Sequence, residues 1–335
     1  MKIWAAQTSW VSKHAHAKAD SLDKNKITRI AVIKHAALGD MLQTRPMLIT
    51  LKEAFPNAQL TLSVVSNYIK GIPDDLIDRL HIASGNDKKY TLSETLKSYK
   101  DLGYQDLLFD ISATARSRWI TKLNSAGLKI GYMNQGLHRF LYDIAIPRAY
   151  YRFEAETFLE QINTIGLQYE WPLRYDYPIP DRTYKNPYIL YFPTASTPAR
   201  CWSPEYMAEL ISEMCKTHPN IDHLLLSGLA DWESETAKSI ANKVGKHTNF
   251  KIVNAGPNDF SLVSHAKTLV VSDTGLRHLA IAAGTPTVCT FPVSPNVFGY
   301  LPLFGNHKAV TADESGPAPV TKVAYAINEI INTSK

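Results

Sequence analysis

Apolar residues along this chain gather in short runs, separated by stretches in which they return every three or four positions. Thr28–Ile33 (TRIAVI) is apolar and rich in β-branched residues, as suits a strand buried on both faces of a parallel sheet. Gly39 and Asp40 interrupt the pattern, after which Leu42, Leu48, Leu51 and Phe55 recur at helical spacing up to Pro56. Gln59–Val65, Asp106–Ser112 and Leu128–Tyr132 read as further strands. The second half repeats this order with Tyr188–Phe192, His223–Gly228, Lys251–Asn254, Thr268–Ser272 and Thr287–Phe291. Strands alternating with helices predict right-handed βαβ units, hence an α/β fold with two doubly wound parallel sheets.

Length agrees, since 335 residues exceed what one core holds. Between the halves, Tyr169–Pro187 carries four prolines without periodicity and reads as a linker. The expected division is an N-terminal extension over 1–26, partly disordered or loosely docked through Trp4 and Trp10, then a domain over 27–168. The linker over 169–187, a second domain over 188–320 and a C-terminal helix over 321–335 complete it. An apolar content of 45% argues against global disorder. Three widely spaced cysteines without a CxxC pair argue against a disulfide framework or zinc site and for a reducing compartment. With no apolar run of 18 residues and no h-region at the start, the expectation is a cytoplasmic protein. The net charge of +5 suits an acidic partner without choosing one.

Chemistry concentrates in two strand-to-helix turns. In KHAALGDML (Lys34–Leu42), Gly39 permits a tight turn and Asp40 sits near a helix start, as an N-cap carboxylate, a general base, or both. In SDTGLRHLAIAAGTPTV (Ser272–Val288), Thr274 and Gly275 open a helix whose free N–H groups suit phosphate. Asp273 repels phosphate and is expected to cap the turn. His278, one turn in, reads equally as a donor to phosphate or sugar and as a structural histidine.

These turns carry a resemblance. KHAALGDMLQTRPMLITLKEAFPNAQLTLSV resembles the opening of the ADP-heptose:lipopolysaccharide heptosyltransferases, and SDTGLRHLAIAAGTPTV is similar to that family's nucleotide-binding signature. Ala115–Met133 and Pro193–Ile211 are similar to intermediate blocks in the same order, so the likeness runs from about Thr28 to Val310. It implies a GT-B type fold, two Rossmann-like domains facing across a cleft, the first for acceptor and the second for donor. It implies inverting, metal-independent transfer of a heptose-like sugar from an ADP-sugar, with no further cofactor. Asp40 falls on the family's catalytic base, and Arg200 falls where a lysine usually neutralises the diphosphate. Thr194 and Ser196 fall in the phosphate loop, Glu233 near the ribose-contacting acid, and Asp273, Thr274, Gly275 and His278 on the donor turn. Ala36 and Ala37 replace paired serines, and Phe291–Tyr300 lacks the family's glycine and acid there.

From Ile111 to Arg152 seven basic residues face one acid, Asp143. This reads either as a solvated basic face or as a cradle for an anionic glycolipid of the lipopolysaccharide inner core, with Arg116, Arg118 and Lys122 as contacts. Peripheral association with the inner face of the bacterial inner membrane would follow. No nucleic-acid motif accompanies the charge. A sugar-nucleotide epimerase and a non-catalytic sugar-nucleotide-binding subunit of a glycan assembly complex are the alternatives.

Overall fold

The computed structural model describes residues 1–256, 259–291, 297–312 and 316–333. It divides into two units, Met1–Tyr175 and Asp176–Lys335.

The first unit holds a seven-stranded sheet. Its strands are β1 (Trp10–Val11), β2 (Arg29–Ile33), β3 (Gln59–Val65), β4 (Arg79–Ala83), β5 (Gln105–Asp110), β6 (Ala126–Tyr132) and β7 (Ile144–Ile146). Their order is β1-β7-β6-β5-β2-β3-β4, parallel except for β1. Central β2 pairs Ile30 with Leu60 on one side and Leu107 on the other. Ala31, Ile33 and Leu108 share a cluster with Tyr99 and Ile120, from helices Leu92–Lys100 and Ala115–Leu123. The single helix expected up to Pro56 is two, Leu38–Leu42 and Arg45–Ala54, because Pro46 starts a new first turn.

The first 26 residues differ from the sequence expectation, because they complete the sheet. Val11 pairs antiparallel with Ile144, and helix Ala15–Ser21 buries Ala15 and Ala19. Lys18 bonds Asp143 at 2.8 Å, and Trp4 N donates to Thr164 O at 2.8 Å. Alanines and a paired lysine supplied no apolar run to reveal this docking.

The second unit holds β8 (Tyr188–Phe192), β9 (Asp222–Ser227), β10 (Phe250–Asn254), β11 (Thr268–Ser272), β12 (Thr287–Phe291) and β13 (His307–Thr311), all parallel in the order β10-β9-β8-β11-β12-β13. Helices Pro204–Thr217, Asp231–Val244 and Val320–Thr333 bury Ile211, Ile240, Val323 and Ile327 in one core with Val270. Proline-rich 169–187 has no helix or strand, yet each half is tied to its own unit. Tyr175 is buried with its hydroxyl on Gln43 at 2.6 Å, and Tyr184 donates to Asp222 at 2.6 Å.

In both sheets the first long strand lies centrally, with later strands added to one side and then the other. The order therefore reverses between β2 and β5, and again between β8 and β11. At such reversals the turns leaving neighbouring strands diverge and open a crevice at the carboxyl edge.

Candidate active site

At the β2/β5 reversal the two departing turns are stitched together. His35 N donates to Ser112 Oγ, and its Nδ1 lies 3.3 Å from Thr114 Oγ1. Burial, reinforced by Arg116 and His81, pushes the His35 imidazole down to about 3, so the ring is neutral at pH 7. Lys34 is buried with Nζ 4.2 Å above the Phe158 ring and 3.5 Å from Glu154 Oε1. Burial lowers its pKa, while Glu154 and Asp40 favour its charged form. Asp40 lies in the first turn of helix Leu38–Leu42, partly exposed, within the electrostatic reach of this ammonium.

Behind this edge stands Asp110, fully buried at the end of β5, which sequence reasoning passed over. Its carboxylate accepts from Tyr142 Oη at 2.7 Å, Ser117 Oγ at 2.9 Å and the Ser112 and Ala113 N–H groups at 3.1 and 3.0 Å. Burial raises its pKa against those four bonds. They also hold Ala113 at a φ of 54° and so aim helix Ala115–Leu123.

Arg116 and Arg118 leave opposite sides of that helix. Arg116 bonds Tyr99 Oη at 3.2 Å and Asn86 Oδ1 at 2.8 Å. Arg118 reaches Ala113 O and, in the amide orientation that satisfies both groups, the Asn134 side-chain oxygen. Lys122 lies exposed on the Arg118 side. The sequence's basic cluster is therefore divided. Lys129 caps Thr121 O at 2.7 Å, Arg148 pairs with Glu154 at 2.6 Å, and Arg152 pairs with Glu156 and Glu160.

The second unit brings most of its expected residues together. The turns after β8, β9 and β11 are adjacent because those strands are neighbours. Thr194 Oγ1 donates to Glu233 Oε1 at 3.1 Å, and Glu233 Oε2 accepts from Ala230 N at 3.0 Å. Gly228 makes room for this carboxylate, since a Cβ there would stand 2.4 Å from Glu233 Oε2. Arg200 donates to Ser196 Oγ at 3.2 Å and to Asp273 Oδ2 at 2.7 Å.

Instead of capping its turn, Asp273 binds two guanidinium groups, since its second oxygen accepts from Arg277 at 3.0 Å. Arg277 is fully buried, bonds Tyr300 O, and has the rings of Phe291 and Tyr300 at 5.7 and 5.9 Å. One carboxylate thus bridges a buried guanidinium and one whose side chain is 52% exposed. The i, i+4 spacing of Asp273 and Arg277 is the sequence signal for this bridge. Thr274 precedes helix Gly275–Ala282, and its Oγ1 is buried with no hydrogen-bond partner among the described residues. His278 is buried edge-on to Tyr300, within the packed side of the helix.

Cysteine chemistry is disfavoured, since burial pushes Cys215 up to about 11 and Cys289 up to about 12. The altered loop flagged in the sequence lies outside the described residues over 292–296. Among the described residues no group of three or more His, Cys, Asp or Glu is placed to hold a metal ion, and no helix is long and apolar enough to cross a membrane.

Two doubly wound Rossmann-like domains with polar turns at their reversals define a protein of the GT-B type. The model of glycosyltransferase family 9 (heptosyltransferase) matches residues 95–324, and the chain belongs to this family of glycosyltransferases. Lipopolysaccharide heptosyltransferase 1 of Pseudomonas aeruginosa is 24% identical over 316 residues, spanning 88% of this chain and 86% of that protein. The E. coli heptosyltransferase WaaC with ADP superposes with a TM-score of 0.73 at 20% identity, covering 90% of this chain and all of that one. The E. coli ADP-heptose lipopolysaccharide heptosyltransferase II gives 0.65 at 16% identity, covering 92% and 99%.

Proposed function

We propose that the chain moves a heptose-like sugar, with inversion, from an ADP-sugar to a hydroxyl of an anionic envelope glycan of the lipopolysaccharide inner-core class. The observation that carries this reading is the Arg200–Asp273–Arg277 bridge beside the Thr274–Gly275 helix start. An exposed guanidinium held beside the N–H groups of a helix start is what a departing diphosphate requires. The relatives named above supply the donor, since ADP and heptose stand in their names.

In this reading the acceptor oxygen attacks the anomeric carbon while Asp40 takes its proton. The bond from that carbon to the diphosphate oxygen breaks, and its electron pair leaves with ADP. Arg200 and the Gly275 end of the helix carry the developing charge, so the transfer proceeds without a metal. Glu233 takes the ribose, with Thr194 and Ser196 lining the phosphate path. Arg116, Arg118 and Lys122 meet the acceptor's anionic groups. The reading places the reaction in the cytoplasm.

Asp40→Asn tests the base role. Turnover is expected to fall by about 10²–10⁴-fold, while calorimetric ADP affinity stays within about twofold of the starting protein. Near-normal turnover with chelator present would remove Asp40 from the mechanism. Consumption of ADP-sugar without acceptor would favour the epimerase reading instead.

A further inference from the structure

Helix Glu154–Asn163 joins two places in the first unit that have different surfaces. At its start, Glu154 Oε1 lies 3.5 Å from Lys34 Nζ, beside the turn that carries Asp40. Its end lies ten residues further on, about 15 Å along the axis. A groove of about 470 Å³ opens there, and no step of the proposed transfer uses it.

The chain leaves this helix through a glycine cap. Gly166 takes a φ of 78° and donates to Asn163 O at 3.0 Å, and Leu167 N donates to Ile162 O at 3.3 Å. The N-terminal segment lies against this cap, with Trp4 N donating to Thr164 O at 2.8 Å. The indole rests on the bare glycine, since a Cβ at Gly166 would stand 2.9 Å from Trp4 Cδ1 and Nε1. Lys2 Nζ lies 4.6 Å from the ring centroid and steadies it further. The ring is thus fixed in place, yet Trp4 remains 61% exposed.

Polar groups around the indole are uncommitted. The groove is lined by Trp4, Asn163, Gly166, Leu167, Gln168 and Tyr169, and none of them is charged. Among the described residues, the amides of Asn163 and Gln168, the Tyr169 hydroxyl and Trp4 Nε1 have no hydrogen-bond partner. A fixed aromatic face is therefore surrounded by groups that can both donate and accept.

We propose that this groove binds an uncharged sugar, with one pyranose ring stacked on Trp4. A pyranose presents a face of C–H groups to an indole, and its rim hydroxyls donate and accept as side-chain amides require. The lining has no guanidinium or ammonium for a phosphate and no carboxylate for an amine. Because the indole is held before any ligand arrives, binding is spared the cost of ordering it. The inference does not rest on the proposed transfer, and its test needs no turnover.

Saturation-transfer NMR on the full-length protein with maltotriose, cellotriose and chitotriose supplies that test. Transfer to the ring protons of at least one trisaccharide is expected, and saturating ADP should leave it unchanged. Trp4→Ala should weaken the apparent affinity at least about tenfold. Asn163→Ala combined with Gln168→Ala should weaken it about fivefold, with circular dichroism and melting unchanged, which separates loss of the site from loss of the fold. No transfer to any of the three sugars, transfer abolished by ADP, or undiminished affinity in the double variant overturns the proposal.

Discussion

Arg277 is the residue whose importance lies furthest from its appearance in the sequence. Its guanidinium is buried and spends one N–H on Asp273, which in turn fixes Arg200. Removing one member of a buried pair strands the other, at about 3–5 kcal/mol when burial is complete. Asp273 keeps some solvent contact, so a smaller loss is expected for Arg277→Met. The sharper expectation is kinetic. In the proposed transfer, turnover should fall about tenfold, and Arg200→Ala should cost much less in that background than alone, a coupling of at least about 1 kcal/mol. Strictly additive effects would show that Arg277 serves stability only. Histidines give a second expectation, since burial holds His35 at about 3, with His223 and His307 at about 4. Each is neutral when folded yet protonates near its ordinary 6.5 once unfolded. Their contribution is intact above about pH 6.5 and drains away as pH falls toward 4, at up to about 1.4 kcal/mol per pH unit for each. Urea melts at pH 7 and pH 5 should reveal this, and His223→Gln should flatten the difference.

Among the elements, the turn after β9 links two neighbouring strand ends through Glu233. Gly228→Ala would push that carboxylate from Thr194 and Ala230 while leaving β9 intact. The expected result is ADP affinity lowered several-fold, with a melting temperature close to that of the starting protein. Calorimetry beside Glu233→Ala checks it, since both variants should behave alike. How far elements were legible followed burial. Arg29–Ile33 and Thr268–Ser272 are almost wholly buried and read directly as apolar runs. The edge strand Arg79–Ala83 alternates exposed and buried positions, and Ile144–Ile146 has three residues, so neither carries a run to detect. Of the candidate site, Asp40 and the Asp273–His278 turn stand out in the sequence through local turn chemistry alone. Asp110 and the partners of Lys129, Arg148 and Arg152 do not, because those contacts join residues that only the folded sheet brings together.

At the scale of the molecule, the two sheets share one strand order but not one closure. The second unit ends its parallel array at β13, whereas the first gains an antiparallel strand from its own beginning. Deleting residues 1–22 should expose the β7 edge and the apolar surface under Ala15 and Ala19. A fall in melting temperature of several degrees, with faster aggregation, is expected by calorimetry and light scattering. An unchanged melt would mean that the segment merely rests on the sheet. The same arrangement bears on how the protein is made. Trp10 and Val11 are synthesised more than a hundred residues before their partners Ala145 and Ile144, and the Thr164 carbonyl that receives Trp4 comes later still. The nascent chain must therefore carry its opening segment unpaired through nearly the whole synthesis of the first unit, so that this unit closes only as translation of the second begins.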